Sequence, residues 1–289
     1  MRFPDLRPDC SQKHFDFQDY KLSPIELLKE RIAQLESERR FDNEPYPKNL
    51  IPFNGFLTGQ GFFPGGDGLW RDDPTKSAST HPFPVGGVLV LGNDFGCADC
   101  EATKSPGFKQ CVDRGYEDPP TWKIKDLLTA SGIPKTELFF TNAYLGLRCS
   151  SKSTGPNPGL KDSRFLQFCR EFFDYQLTIH RPRLIICLGH EPRKFLASSK
   201  KSTTPPLVES IRCWQVIPSF KAFDQKCAPI MNCNTRLSDN SVLTVTITVI
   251  THPSFARSNY AQNPRTYKDK IGEAAEIAIL SEAWTSATQ

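Results

Sequence analysis

The chain changes its pattern of apolar and polar positions near residue 80. Before that point, residues 23–40 place apolar side chains at helical spacing, with Ser23 as a cap and a proline in the first turn, which predicts an amphipathic helix. Residues 46–84 are rich in Pro, Gly and aromatic side chains, and they predict an irregular loop on the surface. We therefore expect residues 1–80 to form a helix and an irregular extension that pack on a core domain of residues 81–289.

After residue 80, short apolar runs alternate with segments of helical periodicity. The apolar runs predict buried strands at residues 88–91, 137–140, 184–188 and 242–250. Helical spacing predicts helices near residues 122–131, 163–180, 191–197 and 267–280, whereas residues 200–240 are less regular. Strands that alternate with helices are typical of a parallel sheet with helices on both faces. The predicted fold class is α/β: three α/β/α layers with a central, mostly parallel, four-stranded sheet.

The composition is that of an ordinary globular protein. Apolar residues make up 38% of the 289 positions and charged residues 24%; the net charge of +4 is compatible with a polyanionic partner without establishing one. The apolar runs are far shorter than the roughly 20 residues that a membrane helix needs, and the first residues lack an apolar signal segment. We therefore expect a cytoplasmic protein whose 10 cysteines are mostly reduced.

Two polar motifs follow predicted strands. Residues 92–96 (Gly-Asn-Asp-Phe-Gly) come after the first strand, and residues 251–254 (Thr-His-Pro-Ser) come after the last. Because ligand sites of open α/β sheets form at the carboxyl ends of strands, the two loops are expected to face each other across a crevice. A carboxylate, an amide and an imidazole meeting there favour an enzyme. Taken alone, Asn93 and Asp94 are also typical turn residues, and an isolated His252 is more often structural.

Four elements, in order along the chain, carry a resemblance to a known family. They are the two motifs above, residues 140–143 (Phe-Thr-Asn-Ala) and residues 181–189 (Arg-Pro-Arg-Leu-Ile-Ile-Cys-Leu-Gly). Each alone is a weak signal, but their order and spacing together are fairly specific. Across residues 88–280 the chain resembles the uracil-DNA glycosylase superfamily, and the expected fold is similar to the fold of that family.

The first motif departs from the usual forms of the family, because Phe95 stands where they have proline. Asp94 falls on the aspartate of one form and the asparagine of another, whereas Asn93 falls on the glutamate of a third. Either residue is therefore a candidate for the catalytic role. The altered motif also leaves the substrate base open.

The resemblance implies a monofunctional DNA glycosylase that flips a base out of DNA and hydrolyses its N-glycosidic bond, leaving an abasic site. It implies that Asn93 or Asp94 stabilises the sugar cation and positions water near C1′, while His252 donates a hydrogen bond to the base. Asn142 would read the edge of the base, since its amide offers both a donor and an acceptor. The candidates for an aromatic platform under the flipped base are Phe95, Tyr116 and Phe108.

The loop after His252 and the helix after the third strand supply the expected DNA contacts. In the resemblance, this loop is where a side chain wedges into the duplex and another fills the vacated stack or holds a phosphate. Basic residues of the helix would contact the DNA backbone, although single residues of this kind more often form a solvated face. The expected DNA-binding residues are Ser254, Phe255, Arg257, Arg193 and Lys194, with Lys200 and Lys201 beyond the helix.

No cofactor or metal ion is expected. Some glycosylases of this superfamily hold a four-iron four-sulfur cluster with four cysteines, and the resemblance puts Cys149 and Cys169 near two of those positions. Cys97 and Cys100 have the CxxC spacing of metal ligands, but they follow the first motif and do not precede it. Buried or surface thiols are therefore the default interpretation of these four cysteines.

The substrate and two other functional classes remain open from the sequence. Uracil is the commonest substrate in the superfamily, whereas the altered first motif and the long loop after Cys97 would suit a bulky modified pyrimidine, as in defence against phages. A non-catalytic DNA-binding module on the same fold and a small-molecule enzyme such as a nucleoside hydrolase are the alternatives. DNA with one flipped nucleotide is the expected partner, and neither a membrane nor an obligate protein partner is implied.

Overall fold

The computed structural model of the chain describes residues 22–38, 46–47, 49–51, 61–70, 82–95, 97–98, 124–149, 156–199, 213–217, 219–253 and 264–289. Its longer helices are α1 (Pro24–Glu38), α2 (Ile124–Ala130), α3 (Ser163–His180), α4 (His190–Ser199), α5 (Phe220–Lys226) and α6 (Glu273–Thr288). Its strands are β1 (Leu50–Ile51), β2 (Val88–Gly92), β3 (Cys97–Ala98), β4 (Leu138–Asn142), β5 (Leu147–Cys149), β6 (Leu184–Leu188), β7 (Ile230–Arg236), β8 (Val242–Ile250), β9 (Thr266–Tyr267) and β10 (Lys270–Ile271). None of the helices in these ranges has the length and apolar character needed to cross a membrane.

A sheet of five strands in the order β4-β2-β6-β8-β7 forms the centre of the fold. The first four strands are parallel, which confirms the mostly parallel α/β sheet predicted from the apolar runs. The fifth strand, β7, pairs antiparallel with β8 and corrects the predicted number of four. It lies in the stretch predicted as less regular, because an edge strand with one exposed face alternates apolar and polar residues and lacks a continuous apolar run.

Helices cover both faces of this sheet, as predicted. Leu89 and Leu91 of β2 belong to one core cluster, together with buried side chains of α1, α3 and α4. Val88 and Val90 belong to a second cluster, together with side chains of α2 and α6. Because alternate residues of a strand point to opposite faces, the continuous apolar run of β2 contributes to both cores. The arrangement is the three-layer α/β/α fold.

The N-terminal helix α1 packs against α3. Ser23 and Glu26 form a capping box, in which Oε2 of Glu26 accepts hydrogen bonds from the backbone N–H and the hydroxyl of Ser23, each at 2.7 Å. The apolar face that helical spacing predicts is buried in the same core cluster as α3, and it consists of Leu27, Leu28, Ile32 and Leu35. The helix α1 therefore contributes to the main core, whereas the domain boundary at residue 80 stays a prediction.

Residues 61–70 correct one prediction, because they are almost entirely buried and do not form a surface loop. Phe62 and Phe63 are 6% and 0% exposed. The backbone N–H of Phe63 donates to the carbonyl of Phe140 at 2.9 Å, and the N–H of Phe140 donates to the carbonyl of Gly68 at 2.8 Å. The segment thereby covers the outer edge of β4, which would otherwise present unpaired backbone groups. These residues are buried because they cover the edge of β4, and no periodic pattern in the sequence marks them.

The last helix begins later than predicted. Residues 266–271 form a hairpin of β9 and β10, in which Lys268 and Asp269 turn the chain with φ angles of 44° and 64°. The helix α6 starts after Gly272, which also has a positive φ, and it continues to Thr288. Positive φ angles at residues 268, 269 and 272 are incompatible with a helix interior, so the helix cannot extend back to Tyr267.

Candidate functional site

Four loops leave the carboxyl edge of the central sheet side by side. The strands β4, β2, β6 and β8 are parallel neighbours in that order, so residues at their ends lie along one edge. These residues are Asn142 at the end of β4, Asn93 and Asp94 after β2, Gly189 and His190 after β6, and His252 after β8. The structure therefore brings together the four polar residues predicted at strand ends and adds a second histidine between them.

Gly92 and Asn142 are directly paired residues at the ends of β2 and β4. A β-carbon on Gly92 would lie 2.1 Å from Oδ1 of Asn142 and 3.0 Å from Cε1 of Phe62. The Asn142 amide can therefore lie across the end of β2 only because position 92 is glycine. The backbone N–H of Ala143 donates to the carbonyl of Gly92 at 2.9 Å, which fixes the two strand ends relative to each other. Phe62 belongs to this wall of the site, although the sequence did not predict it.

Asp94 is held by an ion pair that the sequence did not predict. Its Oδ2 accepts hydrogen bonds from Nε and Nη2 of Arg148 at 2.9 and 2.5 Å, and both side chains are 5% exposed. Nδ2 of Asn157 donates to the same oxygen at 3.2 Å. Arg148 comes from β5, and Asn157 caps the short 3₁₀ helix Pro158–Lys161. Hydrogen bonds between ionised groups are about twice as strong as neutral ones, so they fix the orientation of the carboxylate.

Asn93 lies between Asp94 and the chain that follows β4. Its Nδ2 donates to Oδ2 of Asp94 at 3.1 Å, and its backbone carbonyl accepts a hydrogen bond from the N–H of Tyr144 at 2.9 Å. The side-chain oxygen Oδ1 is buried and has no hydrogen-bond partner within the part of the chain that the structure describes. A buried acceptor without a donor costs roughly 1–3 kcal/mol, and this oxygen is therefore suited to receive a donor from water or a ligand.

His252 is half-buried directly after Thr251 at the end of β8. Burial lowers its pKa from the ordinary value of 6.5, while the negative charge of Asp94 acts in the opposite direction. The imidazole is therefore neutral at pH 7 and lies close enough to Asp94 for an electrostatic interaction. Gly189 has a φ of 90°, and a β-carbon there would lie 3.3 Å from Cβ of His252. A glycine at the end of β6 thus makes room for the β-carbon and backbone of His252 beside that strand.

Buried charged residues form hydrogen bonds with the end of β8, just before His252. The backbone N–H of Thr251 donates to Oε1 of Glu276 at 2.6 Å. Nη1 of Arg265 donates to the carbonyl of Val249 at 3.0 Å, and the guanidinium is also paired with Asp224. Both Glu276 and Arg265 are fully buried, so the end of β8 that precedes His252 is held by buried charged groups.

The second histidine, His190, is the first residue of α4. Its ring stacks on Phe220 with the ring centroids 4.1 Å apart. Burial, together with the positive charges of Arg193, Lys194 and Arg265, lowers the pKa of His190 to about 4, so the ring is neutral at pH 7. No motif in the sequence marks this residue, because only its place beside Gly189 brings it to the site.

Arg193 was predicted to contact the DNA backbone, and its position contradicts that prediction. The side chain is 0% exposed, Nη2 donates to the carbonyl of Ile217 at 2.5 Å, and the guanidinium carbon lies 4.8 Å from the centroid of the Phe223 ring. Arg193 faces the core because it lies on the buried side of α4. Its neighbour Lys194 is 41% exposed and pairs with Glu191 at 2.7 Å, and it stays a candidate for a DNA contact.

The other predicted residues lie partly inside and partly outside the described ranges. Phe95 is half-buried and packs against the core cluster of α2 and α6. Cys169 is fully buried, and burial raises its pKa to about 12, as expected of an unreactive thiol. Within the described residues, no three His, Cys, Asp or Glu side chains are grouped so that they would hold a metal ion. Outside those ranges lie Tyr116, Phe108, Ser254, Phe255, Arg257, Cys100, Lys200 and Lys201, together with the side chains of Cys97 and Cys149.

The comparison with protein families agrees with the fold. The model of the uracil DNA glycosylase superfamily matches residues 110–276, which is more than half of the chain, and the chain belongs to that superfamily. The matched range includes Asn142 and His252, whereas residues 92–96 lie before it. A search of curated proteins finds no match. The interpretation of Asn93 and Asp94 therefore depends on their geometry beside the two matched residues.

Proposed function

We propose that this protein is a monofunctional DNA glycosylase, which flips a base out of DNA and hydrolyses its N-glycosidic bond to leave an abasic site. The observation that carries the proposal is the position of Asn93, Asp94, Asn142 and His252 at neighbouring strand ends on one edge of the sheet. This is the edge at which open α/β sheets bind their ligands. Membership of a superfamily of DNA glycosylases supports the same enzyme class.

Asn142 is suited to read the edge of the flipped base. It is 5% exposed and lies across Gly92 with little freedom to move. An amide in a fixed orientation offers one acceptor and one donor, and uracil offers the complementary N3–H and carbonyl oxygen. Uracil is therefore the first candidate substrate, and a modified pyrimidine with the same edge is the second.

His252 is suited to stabilise the departing base. As the bond between C1′ and the base nitrogen breaks, its electron pair moves into the base and negative charge builds on a carbonyl oxygen. A neutral imidazole on the opposite side of the crevice would donate a hydrogen bond to that oxygen. One well-placed donor of this kind contributes roughly 3 kcal/mol, which is a factor of about 10²–10³ in rate.

Asn93 and Asp94 complete the site on the sugar side. A water molecule adds to C1′ of the sugar cation, and its proton ends on the nitrogen of the released base, so that the products are the free base and an abasic site. Neither these residues nor Asn142 and His252 can form a Schiff base with the sugar, since none is a lysine. We therefore expect base release without strand cleavage.

The decisive experiment is incubation of the purified protein with a panel of DNAs, followed by mild alkali to cleave abasic sites. The panel contains uracil, hypoxanthine, thymine mismatches, and hydroxymethylated and glucosylated pyrimidines, with unmodified DNA as control. We expect cleavage at the position of one of these bases. His252→Ala and Asn142→Ala should each lower the rate on the order of 10²-fold. Asp239→Asn removes a carboxylate at the opposite edge of the sheet and should keep the full rate.

The panel also separates the alternative functions. DNA binding with a steep salt dependence but no alkali-labile product from any substrate would contradict the proposal and favour a non-catalytic module. Release of bases from free nucleosides, without any requirement for DNA, would favour a small-molecule hydrolase. Full activity of the His252→Ala variant would mean that the site lies elsewhere.

A further inference from the structure

The side chains of Asn93 and Asp94 are hydrogen-bonded to each other, but their surroundings differ. All of the hydrogen bonds described above to Asp94 converge on Oδ2: two from Arg148, one from Asn157 and one from Asn93. A carboxylate oxygen has about two lone-pair directions, so these four contacts already use both of them. Oδ2 of Asp94 is thus engaged by the protein and has no direction left for a water molecule.

The same bonds fix the orientation of the Asn93 amide. Its Nδ2 group donates to the Asp94 carboxylate at 3.1 Å, and the reversed amide would instead direct its oxygen at that negative charge. The Asn93 oxygen therefore has to point away from Asp94. It is buried and, among the residues that the structure describes, no donor reaches it. Buried acceptors in native structures are almost always paired, and an exception of this kind at a ligand-binding edge indicates that the donor comes from outside the chain.

We propose that Oδ1 of Asn93 holds the attacking water, and that Asp94, fixed by Arg148 and Asn157, is the positioning residue that orients the Asn93 amide. This inference rests on the proposed glycosylase function and assigns the two candidates for the catalytic position different roles. Because the positive charge of Arg148 lies at contact distance from the Asp94 carboxylate, the pair supplies geometry more than negative charge at the sugar.

An amide oxygen accepts a hydrogen bond from water without removing its proton. The bond between C1′ and the base nitrogen must therefore break first, with its electron pair leaving on the base. The water held by Asn93 then forms the new bond between its oxygen and C1′. Its surplus proton goes to the anionic base nitrogen, and no oxidant, metal ion or strong base is needed for the balance.

The test compares single-turnover rates of base release on the DNA substrate that the panel identifies. Asn93→Ala should lower the rate on the order of 10²-fold, since the water loses its acceptor. Asp94→Asn keeps an oxygen that Arg148, Asn157 and Asn93 can still reach, so the loss should stay below about tenfold. If Asp94 removed a proton from water, the same change would cost about 10²–10⁴-fold and would abolish the acidic limb of the pH–rate profile.

A double variant distinguishes a role of Asp94 in orienting the Asn93 amide from a purely structural role. Asn93→Asp alone puts two carboxylates side by side and should be strongly impaired. Adding Asp94→Asn restores a donor beside the new carboxylate, so the exchanged pair should be faster than Asn93→Asp alone, and the two changes should be clearly non-additive. Asp239→Asn, which removes the negative charge that pairs with Arg181 at 2.6 Å at the opposite edge of the sheet, is the matched control for Asp94→Asn.

Binding of each variant to DNA that already contains an abasic site, together with its thermal unfolding, verifies that the site is intact. A wild-type rate that survives in Asn93→Ala but is lost in Asp94→Asn would overturn this inference and leave the glycosylase function standing. An exchanged pair no faster than Asn93→Asp would also overturn it. Wild-type protein that releases no base from any DNA would overturn the proposed function itself, and the inference with it.

Discussion

The side-chain oxygen of Asn142 lies where residue 92 would carry a β-carbon: a β-carbon on Gly92 would be 2.1 Å from Oδ1. The strands β2 and β4 pair these two residues directly. The amide proposed to read the base thus depends on the absence of a side chain on the neighbouring strand. The same β-carbon would approach Phe62 to 3.0 Å, so the strain cannot be relieved in that direction.

Gly92→Ala should therefore displace the Asn142 amide and impair base release while the protein still folds. We expect a fall in the single-turnover rate on the order of 10²-fold, because small displacements of a positioning group have effects of that size. The control is Gly132→Ala, which strains the backbone at a φ of 75° but brings no atom within 4 Å of the new β-carbon, whereas Gly92 lies in a strand and its substitution adds only the contact. If both variants lose the same activity, the cause is a general loss of stability and not the contact with Asn142.

Asp94 shifts the pKa of His252, and the direction of this shift can be measured. Burial lowers the pKa of His252, and the negative charge of Asp94 partly offsets this by stabilising the protonated ring. Asp94→Asn removes the charge, so the pKa of His252 should fall further below 6.5. Titration of the imidazole by NMR checks this, with His252→Asn to assign the signal. A pKa that rises, or that is equal in Asp239→Asn and Asp94→Asn, would contradict the pairing.

Arg193 and Lys194 are adjacent in sequence but should behave differently towards DNA. Lys194 is 41% exposed, so Lys194→Gln should reduce the slope of log binding constant against log salt concentration by about one unit if it contacts a phosphate. Arg193 is buried, so Arg193→Met should leave that slope unchanged and alter only the free energy of unfolding. Binding titrations at several salt concentrations distinguish the two, and a changed slope for Arg193→Met would contradict the structure.

The sequence was sufficient to predict the parallel centre of the sheet but not its two borders. The strands β6 and β8 coincide with their predicted runs, because strands covered on both faces are rich in apolar and β-branched residues. The outer strand β7 and residues 61–70 were not predicted as observed. Their structure depends on the edges of β8 and β4 that they cover, and neither segment has the continuous apolar run from which the other strands were predicted.

Some residues of the candidate site could likewise be predicted from the sequence, and others could not. The positions of Asn142 and His252 could be predicted, since a polar residue at or just beyond the end of a buried strand must lie at the carboxyl edge of a parallel sheet. Arg148 and Asn157 could not, because they reach Asp94 from 54 and 63 residues further along the chain, from a strand of three residues and a single 3₁₀ turn. No local pattern links them to residues 92–96, and only the folded chain brings them there.

His180 gives a stability prediction that is independent of the site. It is fully buried, with its ring 5.4 Å from the rings of both Phe83 and Phe139, and burial lowers its pKa to about 3. The unfolded chain takes up a proton near the ordinary value of 6.5, and the folded chain does not. The folded state should therefore lose stability as the pH falls from 6.5 towards 3, by up to about 1.4 kcal/mol per unit of pKa difference.

His180→Phe removes this contribution, so urea unfolding should show a weaker pH dependence than in the wild type between pH 6.5 and about 4. The carboxylates and His190 are present in both proteins and cancel in the comparison, so equal slopes would mean that His180 takes up its proton in the folded state as well.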